Sequence, residues 1–130
     1  MSHNAINAAG FHHVALKAPD LERAIAFYHE GLGMPIKARW EGGCMIDTGD
    51  GACMEIFPGG SGEYREDGFY HIALAVPDVD AAVSAALAAG ARLTVEPKDI
   101  ALPSQPPVRA RIAFVLGVAG ESIEFFCEEK

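Results

Sequence analysis

Two stretches of this chain repeat each other at an offset of 58 residues, and that repeat limits the possible folds more than any other feature. Residues 11–21 read FHHVALKAPDL and residues 69–79 read FYHIALAVPDV. Over the windows 11–25 and 69–83, seven of fifteen positions are identical: Phe11/Phe69, His13/His71, Ala15/Ala73, Leu16/Leu74, Pro19/Pro77, Asp20/Asp78 and Ala24/Ala82. Chance agreement from average composition is about one. A second echo closes each half, MEIF at 54–57 and IEFF at 123–126, which sets Glu55 opposite Glu124. The chain is therefore two copies of one supersecondary unit.

Each copy opens on a short apolar strand, around His13–Lys17 and His71–Val76, which a proline ends. Asp20 and Asp78 follow as helix N-caps. Leu21, Ile25, Tyr28 and Leu32 recur at helical spacing in the first copy, and Val79, Val83 and Leu87 in the second, with Gly90 as the stop. Two hairpins come next: Cys44–Asp47 into Ala52–Phe57, and Arg111–Leu116 into Ser122–Cys127. A weaker strand precedes each, about Ile36–Trp40 and Arg92–Glu96. The expected fold is α+β: two tandem βαβββ modules forming a cupped mixed sheet. Its parts are an N-terminal tail (1–10) and a single domain (11–127), made of module one (11–57), a linker (58–68) and module two (69–127). Glu96–Val108, with four prolines and no period, reads as a long loop of the kind that often serves as a lid.

The 130 residues are 50% apolar and 22% charged, ordinary for a globular domain. A net charge of −8 argues against nucleic acid and anionic membrane surfaces, both of which need a basic face. No apolar run approaches the roughly 18 residues of a bilayer span, and the first residues carry no secretory signal. Cys44, Cys53 and Cys127 lack CxxC spacing, so neither a disulfide framework nor a thiolate zinc site is expected; a reducing cytoplasm is the default. What remains is a small acidic domain that acts on something small or binds a partner.

Strand side chains alternate faces. His13, Ala15 and Lys17 share one face of the first strand, opposite Val14 and Leu16; His71, Ala73 and Ala75 oppose Ile72, Leu74 and Val76. The branched sets should meet the helices, so each module offers a histidine from its other face. Glu55 and Glu124 stand within apolar strands, where a buried carboxylate costs several kcal/mol unless compensated, as an order of magnitude. Duplication around one axis would bring the four together. Two imidazoles and two carboxylates suit a divalent first-row ion (Zn, Ni, Mn, Co or Fe) and leave positions open for substrate oxygens. His12 is expected to turn away from this face, and His3 and His29 to lie on the surface. Arg109, Arg111, Lys98 and Arg65 are candidates for holding a substrate anion.

The motif HVALKAPDLERAIAFYHEGLGM, its echo HIALAVPDV and the closing strands MEIF and IEFF resemble the vicinal oxygen chelate superfamily, over about residues 11–127. That superfamily includes glyoxalase I, methylmalonyl-CoA epimerase, extradiol dioxygenases, and fosfomycin and bleomycin resistance proteins. The resemblance implies a metal-holding cup, built within one chain or across a dimer, with His13, Glu55, His71 and Glu124 as metal ligands. Glutamate at position 55 is similar to bacterial-type glyoxalase I, which implies a metal-dependent lyase or isomerase acting on a substrate with adjacent oxygens. Glu124 or Glu55 would then be the catalytic base, Glu124 being favoured. Lys17 falls where glyoxalase I carries a substrate-binding arginine. The turn Gly117-Val118-Ala119-Gly120-Glu121 replaces the usual Asp-Pro-x-Gly-Asn, so the glutathione-binding pattern is not reproduced. The resemblance keeps three alternatives open: an epimerase-like isomerase, an Fe(II) dioxygenase on His13, His71 and Glu124, and a non-catalytic drug-binding protein. Exposed sheet edges and an apolar cup rim predict a homodimer.

Overall fold

The computed structural model describes residues 10–65 and 69–129. His3 and most of the expected tail lie outside the described residues, as do positions 66–68 of the expected linker. Module one runs β1 (His13–Ala18), α1 (Leu21–Ala26), a π-helical turn (Phe27–Gly31), β2 (Ile36–Trp40), β3 (Gly43–Asp47) and β4 (Cys53–Pro58). Module two runs β5 (Ile72–Ala75), α2 (Val79–Ala88), β6 (Arg92–Leu102), β7 (Val108–Leu116) and β8 (Ser122–Glu128). The strand orders, β1-β4-β3-β2 and β5-β8-β7-β6, are the same pattern twice. In each sheet the opening strand pairs with the closing one in parallel, and the other pairs are antiparallel. This is the expected α+β fold of two βαβββ units, and among the described residues the two sheets share no ladder.

Both helices start as their caps dictate: Asp20 accepts from the Arg23 N–H at 3.1 Å and Asp78 from the Ala81 N–H at 3.0 Å. Each helix covers the branched face of its own sheet. Ile25, Phe27 and Tyr28 pack with Ile46, Met54 and Ile56, and Val79, Val83 and Ala86 with Val115, Ile123 and Phe125, in one continuous core. Leu87, expected in that stripe, is 41% exposed. Ala82, Ala86 and Ala89 turn inward instead, and these small side chains let α2 approach the π turn, where a Cβ on Gly31 would lie 2.4 Å from Ala89 Cβ.

The two modules are also tied by a polar joint. Tyr28, fully buried, donates its hydroxyl hydrogen to Glu121 Oε2, and the Ala119 N–H donates to Glu121 Oε1 at 2.9 Å. The chain following β4 crosses this turn so closely that a Cβ on Gly120 (φ +85°) would lie 2.3 Å from the Gly62 carbonyl oxygen.

One expectation fails. Much of the supposed loop Glu96–Val108 is strand, because β6 continues to Leu102 in register with β7, through irregularities between Leu93 and Lys98. Pro97 falls inside that irregular stretch of an edge strand, where a missing N–H breaks no necessary ladder bond. Only residues 103–107 remain as a connection.

Candidate metal centre

Strand parity aims the candidate ligands. Glu55 is level with Ala15 across the β4–β1 ladder, so Glu55 and His13 share a face, the one away from α1. Glu124 is level with Ala73 and Phe114, and His71 precedes β5 on the same side. His13 Nε2 lies 3.0 Å from Glu55 Oε1, and His71 Nε2 lies 3.0 Å from Glu124 Oε1. The duplication has thus kept one geometry in both modules.

Their surroundings differ. His13 Nδ1 meets His12 Nδ1 at 2.9 Å, so one of the two rings carries the shared proton. His12 therefore orients His13 through the ring nitrogen that faces away from Glu55, as neighbours of metal-bound histidines do. His12 sits just ahead of β1, and the adjacent His-His pair is the sequence signal for this contact, which strand alternation alone does not reveal. His71 instead meets the edge of Phe114, with ring centroids 5.1 Å apart. Glu124 is the buried carboxylate of the set; desolvation raises its carboxyl above the usual range and His71 opposes that rise. His29 is on the surface, its Nδ1 2.7 Å from the Met34 carbonyl oxygen.

The two pairs remain separate within one chain: among the described residues, no three His, Cys, Asp or Glu side chains come together as a metal-sized group. The expected convergence of all four is not made by a single copy. The donor chemistry nonetheless fits a divalent ion. Each pair presents a nitrogen and an oxygen on an exposed face, no thiolate competes, and all four are residues that bind such ions.

Of the candidate substrate contacts, Lys17 is exposed on the His13 face. Arg109 and Arg111 are not placed there. Ala110, Ile112 and Phe114 share the Glu124 face, so the intervening arginines of β7 point to the helix side. Arg111 grips Asp80 of α2, Nε to Oδ2 at 2.7 Å and Nη2 to Oδ1 at 3.0 Å, and reaches Asp99 at 3.1 Å. It is a brace between helix and sheet. A cleft of about 510 Å³ is lined by residues of both modules, among them Met34, Met54, Leu74 and Phe125. It contains no member of either His–Glu pair, and it is explained by the seam between two modules rather than by chemistry. A smaller one, about 210 Å³, brings Lys17 beside His71 and Glu121.

A twice-repeated βαβββ unit defines a class of protein by its fold, and the comparisons with known proteins agree on that fold. The family model of the Glyoxalase/Bleomycin resistance protein/Dioxygenase superfamily matches residues 10–102, and the chain belongs to that superfamily. A glyoxalase/dioxygenase from Nostoc punctiforme superimposes with a TM-score of 0.74 over 100% of this chain and 98% of that one, at 18% identity. A glyoxalase I mutant from Zea mays gives 0.71 at 25% identity, over 88% of this chain but 44% of its own length. The glutathione transferase FosA of Serratia marcescens is 40% identical over 38 residues, 29% of this chain and 27% of that protein. No helix among the described residues is long and apolar enough to cross a membrane.

Proposed function

We propose that this chain is a divalent-metal-dependent lyase or isomerase of the glyoxalase I kind, acting on a small substrate with two adjacent oxygens, and that a second copy completes its centre. The observation that carries this reading is the duplicated His–Glu pair, 3.0 Å in each module and left as two half-sites by a single chain. His13 and Glu55 of one copy would meet His71 and Glu124 of another in a two-fold dimer, which makes two such centres. Glu55 distinguishes this donor set from the two-histidine, one-carboxylate set expected of the dioxygenase alternative. A divalent ion held there supplies Lewis acidity, stabilising negative charge on substrate oxygens.

The protein's own groups do the rest. Glu124 removes the proton from the hydroxyl-bearing carbon beside the carbonyl, the C–H electron pair moves toward the carbonyl oxygen, the carboxyl group returns the proton to the neighbouring carbon, and the hydroxyl proton passes from the first oxygen to the second. The choice of Glu124 over Glu55 rests on family resemblance. His12 holds the His13 ring in place, and the apolar wall of Phe114 beside His71 keeps water from that side. Lys17 is available to a substrate anion.

Elemental analysis of the purified protein, followed by reconstitution with Zn, Ni, Mn, Co or Fe and assay on α-ketoaldehyde thiol adducts and acyl-CoA esters, tests the proposal. Turnover should need the metal, proceed without oxygen, and place solvent deuterium on the carbon next to the carbonyl wherever the proton exchanges. Oxygen uptake matching product formation would show the dioxygenase chemistry instead. A protein that purifies with no stoichiometric metal and turns over nothing would be a binding protein.

A further inference from the structure

One residue pair along from Glu55, on the same open face of module one, lies a row of side chains that the proton transfer does not use. Trp40 of β2 is level with Gly43 of β3, and Phe57 of β4 is level with Lys17 of β1. The Trp40 and Phe57 rings meet edge to face, centroids 6.0 Å apart. They meet across Gly43, whose absent side chain makes room: a Cβ there would lie 2.7 Å from Trp40 Cζ2. Trp40 is nonetheless 40% exposed. Lys17 continues the row, its stem against Gly59 and Gly60, where added Cβ atoms would lie 3.3 and 3.4 Å from it. Among the described residues no carboxylate forms an ion pair with Lys17. Arg39, beside Trp40, points to the other face and pairs with Glu22 of α1.

Module two offers a control within the same chain. Its equivalent row reads Ala75, Phe126, Ile112 and Lys98. Both rows carry a phenylalanine on the closing strand and a lysine at one end, but module two has no tryptophan, no glycine beneath it and no lysine on its first strand. A shelf of two aromatic rings, with a lysine on the strand that carries the histidine, is therefore no requirement of the βαβββ unit. A step of two residues along a strand is about 7 Å, so the row stands one such step from Glu55. A lysine beside exposed aromatic surface suits a flat apolar group that carries negative charge.

We infer that the row Trp40–Phe57–Lys17 is a recognition site for a planar aromatic group bearing a carboxylate, and that it selects aryl over alkyl substrates at the adjacent centre. The inference deepens the proposed function and rests on it for the vicinal oxygens, but the binding it predicts needs neither metal nor turnover. Trp40 is the only tryptophan. Its indole N–H resonance therefore reports on this row alone, in the metal-free and the metal-loaded protein. Three probes separate the contributions: phenylglyoxylate (ring and carboxylate), pyruvate (carboxylate without ring) and acetophenone (ring without carboxylate). Phenylglyoxylate should shift the indole signal saturably, with a Kd at least tenfold below those of the other two. Phe57→Leu should weaken it several-fold, and Lys17→Met should bring phenylglyoxylate to the level of acetophenone. Equal affinity for pyruvate and phenylglyoxylate would overturn the inference, as would binding unaffected by both substitutions. Saturable binding without turnover on any substrate would sink the proposed activity and leave this site standing.

Discussion

Burial raises the Glu121 carboxyl above the usual carboxylate range, and the hydrogen bonds from Tyr28 and the Ala119 N–H offset that only in part. The folded chain thus holds this proton more tightly than the unfolded one, whose glutamate titrates near about 4.3. The stabilisation is complete below that value and is lost as pH rises through the raised folded one. Glu121→Gln removes the charge and keeps one oxygen for the Ala119 N–H, while its amide group donates to the Tyr28 hydroxyl oxygen. Its stability should therefore match or exceed wild type at pH 7, with a flatter profile on the acid side; urea titrations across pH would expose the opposite trend. Tyr28→Phe deletes the donor and leaves the carboxylate under-satisfied, for a loss of about 1–3 kcal/mol by the same measurement. At the centre, Glu124→Gln keeps an oxygen for the metal but no basicity. Turnover should fall by about 10² to 10⁴ while bound metal declines far less, and Glu55→Gln should cost less turnover. A reversed order would assign the base to Glu55.

At the scale of elements, the contact between the π turn and α2 has no slack. Gly31→Ala should destabilise the chain by about 1–3 kcal/mol, the usual range for overpacking, and Ala89→Gly in the same chain should restore most of it. Failure of the second substitution to rescue the first, in thermal melts, would mean that the strain falls elsewhere. What was legible at this scale was whatever is local and periodic. The Asp caps, the alternation of β1 and the two hairpins follow from residues within a few positions of one another. The length of β6 was not legible, since prolines mark a loop unless the strand is known to lie at an edge and to bulge. Nor was the facing of Arg109 and Arg111, which depends on where β7 begins its alternation against β8. Leu87 misled because the contact with module one selects small residues over large ones.

For the whole molecule, the sequence offered four candidate ligands and their two-by-two symmetry but not how they meet. Parity places a side chain on one face of its own sheet; the distance between sheets is set by the joint at Tyr28, Gly31 and Glu121, which no periodicity encodes. In the structure that joint leaves the two His–Glu pairs apart among the described residues, and the proposed centre needs a second copy to complete it. A mixing experiment tests this directly. One chain carries His13→Ala and Glu55→Ala, the other His71→Ala and Glu124→Ala, and the two are unfolded together, refolded and analysed for bound metal. Each variant alone should bind almost none. Random pairing makes about half of the dimers mixed, each with one intact centre of two, so the mixture should regain about a quarter of the wild-type metal. A mixture that binds no more than its parents, when both variants refold as dimers, would contradict a centre shared between copies.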